Sequence, residues 1–310
     1  MARSYELLPA SSNQHEHGPY DIYVVGLGML GQHQLTHEVD FALRRCKEIF
    51  VLHYERSLLD YCSTFCEHVT YLSSFYRPGV PREQIYQEIG QRILEAGASN
   101  PPVALALYGH PVIFVSPTNV IVEGSKRLRL RAKVLPGISA MDCLFVDLNL
   151  DPGVEGLQMY EATDMLLRKR PLQPDVPCLV WQIGAVGNLQ YSSEPHSLKP
   201  EYLTRLKDYL LQFYPPGHEA VIAVTPVLAI AKPKLVHTEI GRLDEMYEYI
   251  GSLDTLYIPA LSHRVVKDEE FLRLITEDNA VRAEESGPVS SAPSCARSTS
   301  ASSQAGSPRG

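Results

Sequence analysis

The chain has 310 residues, 45% of them hydrophobic and 21% charged, a composition that excludes a wholly disordered polymer and leaves room for one large or two medium domains. Its formal net charge of −8 supplies no basic field for a phosphate backbone, so nucleic acid is not an expected partner. No apolar run approaches the roughly 20 residues that span a bilayer, and the first twenty residues lack the apolar stretch of a signal peptide; both predict a cytoplasmic protein with no membrane partner.

Residues 1–19 are polar and aperiodic and are expected to be disordered. Short apolar runs rich in β-branched residues then predict strands at 22–26 (IYVVG), 48–53, 69–72, 103–108 and 132–136, with helices at 34–47, 82–96 and 117–128 between them. This alternation predicts a mainly parallel sheet covered on both faces, with ligands held by the loops after the carboxyl ends of its strands. Pro136 and Gly137 punctuate the fifth strand and set a boundary between an N-terminal α/β domain at 20–136 and a C-terminal one at 137–280. Beyond it, runs at 157–162, 177–184, 220–226, 234–240 and 255–259 predict a second sheet with fewer covering helices, at 200–213 and 241–251. The end, 281–310, is rich in Ser, Ala, Gly and Pro and is expected to be disordered.

Six cysteines contain no C-x-x-C pair and lie mostly in apolar surroundings, so neither disulfides nor a structural zinc is expected. His33 and His37 are spaced for one helical face, as are Cys62 and Cys66, but a third ligand is missing and no metal site is expected. Asp142, Asp147 and Asp151 are solvated or capping carboxylates, and the sequence leaves both open. The glycines of GLGMLG, Gly26, Gly28 and Gly31, fit the dinucleotide fingerprint G-x-G-x-x-G, with Glu55 as a ribose ligand. The fingerprint alone has low specificity and Glu55 falls past the end of its strand, so a tight strand-to-helix turn is the stronger reading.

Two further loops follow strand ends. YGHPVIF begins at Tyr108, and LPGISAMDCLF covers 135–145, with small residues Ser139 and Ala140 that let backbone approach a ligand. Their equivalent positions suggest one shared site. The glycine-rich first loop, the Gly-His-Pro loop and the PGIS segment together resemble the tetrapyrrole methylase superfamily. Within it, YGHP-x-x-F-V-x-P, LPGISA-x-DCLF-x-DL-x-x-DP and YEATD-x-L at 160–166 resemble the borosin peptide backbone N-methyltransferases, with His110 where the superfamily more often has Asp. The resemblance covers 20 to about 260 and implies two α/β domains with S-adenosylmethionine in the cleft between them. It also implies a homodimer and a peptide acceptor. For the cofactor it points to Tyr108, His110, Ile113, Ser139, Ala140 and Gln182, and more loosely to Thr225, Asp254 and Thr255. Asp254 stands where the pattern has a hydroxyl residue.

Arg82 and Tyr86 lie at i and i+4 and share one face of the helix that follows Pro81, with Tyr76 in the entering loop. By itself this face is equally a surface helix with a snorkelling Arg and a half-buried Tyr. The borosin pattern of Tyr, Arg and Tyr is matched at Tyr76, Arg82 and Tyr86, with a further tyrosine at Tyr108; where the fused enzymes have another tyrosine, this chain has Ser73. The resemblance then implies that Arg82 stabilises charge on the acceptor amide and lowers a neighbouring phenol. Tyr86 serves as base or proton relay, and Tyr76 and Tyr108 shape the pocket, with the tyrosine roles open to exchange. The tail carries no apolar core-like stretch, so a separate precursor peptide is the expected acceptor. The alternatives are a corrinoid, sirohaem or diphthine-type methylase, including O-methylation, and a non-catalytic peptide-binding member.

Overall fold

In the computed structural model the described residues are 20–52, 57–190, 198–261 and 266–286. The first five strands form where the β-branched runs predict them: β1 Ile22–Gly26, β2 Glu48–Leu52, β3 His68–Tyr71, β4 Val103–Leu107 and β5 Ala132–Leu135. They pair in the order β3-β2-β4-β1-β5, and every pairing is parallel, with Ile22 opposite both Val103 and Ala132. β1 and β4 are buried at every position, as central strands covered on both faces must be.

Side chains alternate between two cores. Tyr23, Val25, Ile49, Val51 and Ala104 pack under α1, His37–Leu43, and α2, Ser57–Ser63. Ile22, Val24, Phe50 and Leu105 pack under α3, Arg82–Ser99, and α4, Ser116–Leu128. Glycine inside a helix costs about 1 kcal/mol relative to alanine, and here tertiary packing offsets that cost. A Cβ on Gly90 of α3 would stand 2.4 Å from Val120, and one on Gly124 of α4 would stand 2.2 Å from Leu94, so the two helices cross on their glycines.

After α5, Ala140–Asp147, and the short α6, Pro152–Glu155, comes the second sheet: β6 Gln158–Glu161, β7 Cys178–Trp181, β8 Glu219–Val224, β9 Lys234–Glu239 and β10 Thr255–Ile258. Its order is β6-β7-β10-β8-β9, parallel only between β6 and β7. One face packs on α7, Ala162–Arg168, α8, Pro200–Leu210, and a 3-10 run, Ile240–Tyr249, through Met165, Leu203, Leu206 and Leu243. The other meets Leu144 of α5 through Leu179, Trp181 and Ala223.

The helix expected at 34–47 is broken. A 3-10 turn, Gly31–Gln34, comes first, and Thr36, extended and accepting the Val39 N–H at 3.2 Å, then caps α1. His33 and His37 therefore sit on different elements. The helix expected at 241–251 is the 3-10 run. A further helix, α9, Glu269–Ser286, lies in the second of two compact units, 263–310, and overlaps the start of the segment expected to be disordered. The expectations for 1–19 and 287–310 lie outside the described residues, as do Glu55 and Cys295. Among the described residues no helix is long and apolar enough to cross a membrane.

Candidate functional site

The carboxyl ends of β1, β4 and β5 meet at three glycines. A Cβ on Gly26 would stand 2.5 Å from the Gly109 carbonyl and 2.7 Å from the Gly137 nitrogen, so backbone lies directly on backbone. Gly28 and Gly109 also bridge, both at positive φ. The Gln34 Oε1 accepts the N–H groups of Met29 and Leu30 at 2.7 and 3.0 Å, and its Nε2 reaches Cys143 Sγ at 3.7 Å. A pyrophosphate in a dinucleotide site would take such loop N–H groups. Here a side chain holds them, and GLGMLG is a packing motif.

Tyr108 follows β4 directly, its N–H donating to the Leu52 carbonyl at 3.0 Å. His110 Nδ1 accepts the Val112 N–H at 3.2 Å, an arrangement that leaves the proton of a neutral ring on Nε2. Ile113 is half-buried in the same loop. The loop ends at Phe114, φ 56°, whose ring lies 5.7 Å from that of Trp181 at the end of β7 and joins the loop edge of the first sheet to that of the second. Val112 and Phe114 remain 54% and 47% exposed, an apolar surface beside polar backbone.

On the second sheet Gln182 follows β7 in left-handed geometry, φ 58°, and the next N–H, of Ile183, donates to the Asp254 carbonyl at 3.0 Å. β10 runs antiparallel to β7 and β8, so Asp254 and Thr255 at its start stand beside Gln182 and Thr225 at their ends. The structure thus places the sequence-nominated cofactor residues at the loop ends of the two sheets, which meet through Phe114 and Trp181, but it commits several of their polar side chains elsewhere. The buried Ser139 hydroxyl accepts the Asp142 N–H at 3.2 Å while Asp142 accepts the Ser139 N–H at 2.7 Å, a capping box at the head of α5, where Ala140 is the first residue. Thr225 donates to Asp147 at 2.9 Å. The Asp254 carboxylate, 3% exposed, pairs with Lys234 at 2.8 Å. Two of the three acidic residues left open are therefore caps, Asp142 here and Asp151 on the Gly153 N–H, and Asp147 ties α5 to β8.

The acceptor side is built on α3. Tyr76 closes the 3-10 turn Leu72–Phe75, with its N–H on the Ser73 carbonyl at 3.0 Å, and packs with Tyr86 on the core under α3. Ser73 is exposed. Arg82 opens α3 and is half-buried; its N–H donates to the Leu189 carbonyl at 3.3 Å, and Pro81 bridges Gln190. Burial raises the Tyr86 phenol above its ordinary value, and the Arg82 cation offsets this only in part. The expectation of a lowered phenol is thereby corrected, because desolvation outweighs the cation. Tyr108 is raised by burial and then by charge on Tyr86, so the two phenols sense one another.

Sequence reasoning missed Gln34, Lys234, the bond from Thr225 to Asp147 and the pairing of Phe114 with Trp181. Ser139 and Asp142 at i and i+3 were a legible cap for α5; Gln34 reaches back four and five residues onto an irregular loop, and the others act across tens of residues and leave no local signal. A depression of about 210 Å³ lined by Asp147, Val221, Leu235, His237 and Tyr257 lies on the face of the second sheet that meets α5.

Residues 21–225 match the family described as Tetrapyrrole (Corrin/Porphyrin) Methylases. A methyltransferase/ribosomally synthesized type I borosin cyclic peptide precursor of Coprinopsis marcescibilis is 32% identical over 206 residues, 65% of this chain and 53% of the relative. A methyltransferase/ribosomally synthesized cyclic peptide dendrothelin A precursor of Dendrothele bispora is 27% identical over 259 residues, 83% of this chain and 61% of the relative. The chain thus spans 53% and 61% of the length of these curated relatives. The structure of uroporphyrin-III C-methyltransferase from Thermus thermophilus with S-adenyl homocysteine superposes with a TM-score of 0.54 at 15% identity, covering 77% of this chain and 96% of that one. The methyltransferase CobJ superposes with a TM-score of 0.53 at 17% identity, covering 79% and 96%. These structures share the fold.

Proposed function

The chain belongs to the tetrapyrrole (corrin/porphyrin) methylase family, and from that premise we propose that it is an S-adenosylmethionine-dependent methyltransferase acting on backbone amide nitrogens of a peptide. The observation that carries the acceptor is the grouping of Arg82, Tyr86 and Tyr108, a cation and two half-buried phenols that influence one another. The names of the two fungal relatives, which join a methyltransferase to a peptide precursor, support it. The cofactor edge fits an adenosine with a charged tail: exposed Val112 and Phe114 offer apolar cover, and Gly109, whose Cβ position meets only Met29 Sδ at 3.5 Å, leaves room against the backbone. Tyr108, His110, Ile113, Ser139, Ala140, Gln182, Thr225 and Thr255 would line it. Asp254 acts behind them through its carbonyl and Lys234.

The cofactor supplies an electrophilic methyl group on a sulfonium. An amide nitrogen is a poor nucleophile because its lone pair is delocalised into the carbonyl, so the chain must favour charge on the carbonyl oxygen and handle the amide proton. Arg82 faces the oxygen, and a fixed cation there stabilises the developing charge. Tyr86, protonated at neutral pH, relays the amide proton. Tyr76 and Tyr108 hold the acceptor against the methyl group at reacting distance. The protein works as a cytoplasmic homodimer on a peptide presented as a separate chain.

Titration calorimetry is expected to show saturable binding of S-adenosylmethionine and none of NAD or NADP; the reverse rejects the reading. With the cofactor and an added peptide, mass spectrometry is expected to place new methyl groups on backbone nitrogen. Methyl groups on a macrocycle carbon or a carboxylate reassign the acceptor to the corrin, porphyrin or diphthine class. A monomer mass by light scattering at all concentrations rejects the dimer.

A further inference from the structure

The YEATD run at 160–164 has no part in the reaction proposed above, yet its side chains lead beyond their own helix. Glu161 accepts the N–H groups of Thr163 and Asp164 at 3.0 and 2.7 Å and closes the first turn of α7. Asp164 pairs with Arg168 and Arg170 at 2.6 and 3.1 Å. Thr163 uses its hydroxyl elsewhere: Oγ1 accepts the N–H of Gly187 at 3.1 Å. Gly187 has φ +73°, and a Cβ there would stand 2.6 Å from the Tyr202 ring of α8, so the backbone is pressed against that ring where only glycine fits. Asn188 Oδ1 then accepts the Gln190 N–H at 3.1 Å, and the turned chain presents the Leu189 carbonyl to the Arg82 N–H and Gln190 to Pro81.

We infer that residues 187–190 form a strap, anchored by Thr163 and Gly187, that holds the first turn of α3 and so positions Arg82. The first N–H groups of a helix have no partner within it. Pro81, at the cap position of α3, provides no side-chain hydrogen bond. The Leu189 carbonyl takes one of these donors and ties the α3 terminus to the second sheet's covering layer. Thr163 is thus a positioning residue for a side chain some eighty positions earlier, an assignment that gives the YEATD motif its place in the molecule. The catalytic consequence rests on the function proposed above; the strap itself does not.

Thr163→Val keeps the side-chain shape and removes the acceptor, and Thr163→Ser restores it. In the full chain, hydrogen exchange of the segment 80–86 is expected to speed about fivefold to tenfold in Thr163→Val, the scale of one hydrogen bond. It should return to the wild-type rate in Thr163→Ser, with 103–107 unchanged throughout. Gly187→Val, which drives a side chain into Tyr202, should reproduce the Thr163→Val result. Unchanged exchange at 80–86 in both variants overturns the strap. In the methylation assay Thr163→Val should lower kcat about tenfold at constant KM for S-adenosylmethionine and should cost nothing further when Arg82 is already Ala. Fully multiplied losses in the double variant overturn the positioning role. If the wild-type chain methylates no peptide, the proposed function fails, and the exchange measurement still decides the strap.

Discussion

Gly28 and Gly109 pair backbone to backbone, with hydrogen bonds of 3.3 and 2.9 Å, and both lie at positive φ, 74° and 67°. Their bridge fastens the loop after β1 to the loop after β4, and Gly137 closes on the same point from β5. Gly137→Ala is therefore expected to lose about 1–3 kcal/mol of stability, the usual cost of forcing atoms into a packed site. Gly217, with nothing within 4 Å of its Cβ position, serves as control, and Gly217→Ala should change stability by less than about 1 kcal/mol. Thermal unfolding decides this, and equal melting of wild type and Gly137→Ala would show that the junction relaxes freely.

Replacing Arg82 with Ala should lower the methylation rate by about 10² to 10³, the scale of losing one preorganised donor to a developing oxyanion, while cofactor affinity stays within about threefold. Lysine should rescue poorly, because a point charge does not reproduce a planar fork of donors. Ser73→Ala should be mild, since Ser73 is exposed and meets Tyr76 through its carbonyl. Mass spectrometry of the added peptide measures all three. Full activity in Arg82→Ala would reduce this helix face to a solvated surface.

Burial holds the Tyr86 phenol above its ordinary value, and Arg82 pulls it partly back. Removing the cation makes the phenolate less favourable, so the Tyr86 pKa should rise further in Arg82→Ala. In the wild type, tyrosinate titration of this residue, identified by its loss in Tyr86→Phe, should fall above about pH 10. A midpoint below that value would mean that the cation outweighs desolvation.

The buried Asp254 carboxylate has its cation in Lys234, which is itself 39% exposed. Lys234→Met should cost about 1–3 kcal/mol, less than a fully buried pair because solvent screens part of the interaction. It should also weaken S-adenosylmethionine binding, since Asp254 holds the turn beside Gln182 through the Ile183 N–H. Unfolding in urea and calorimetry check the two effects, and the double variant Lys234→Met with Asp254→Leu should recover stability.

Burial pushes the thiols of Cys46, Cys62 and Cys178 up to about 12 from an ordinary value near 9. A raised value means that the folded state holds the proton more tightly. The associated stability is fully present below about pH 9 and is lost as pH rises toward 12, at no more than about 1.4 kcal/mol per pH unit for each thiol. Urea unfolding between pH 7.5 and 10.5 should show this fall, with a shallower slope in Cys178→Ala whatever its absolute stability.

The sequence by itself determined the strands, because each needs only a short run of β-branched residues and a turn at its end. All ten strands among the described residues fall within the predicted runs, give or take a residue, as do α4 and α8, and α3 runs three residues past its predicted end. It also nominated the residues of the candidate site, several of them at strand ends where the chain must turn and Arg82 and Tyr86 on α3. The short helices α2 and α7 were not read, since seven residues bury too few apolar groups to show a period. The broken helix at 34–47 turns on Gln34, whose side chain is drawn back onto Met29 and Leu30. Tertiary structure alone decided what each polar group does: GLGMLG packs on Gly109 and Gly137, Asp254 faces Lys234, and Arg82 meets a carbonyl from residue 189. It also decided that burial outweighs Arg82 at the Tyr86 phenol. Those outcomes depend on desolvation and on contacts between distant segments, neither of which any local pattern of residues encodes.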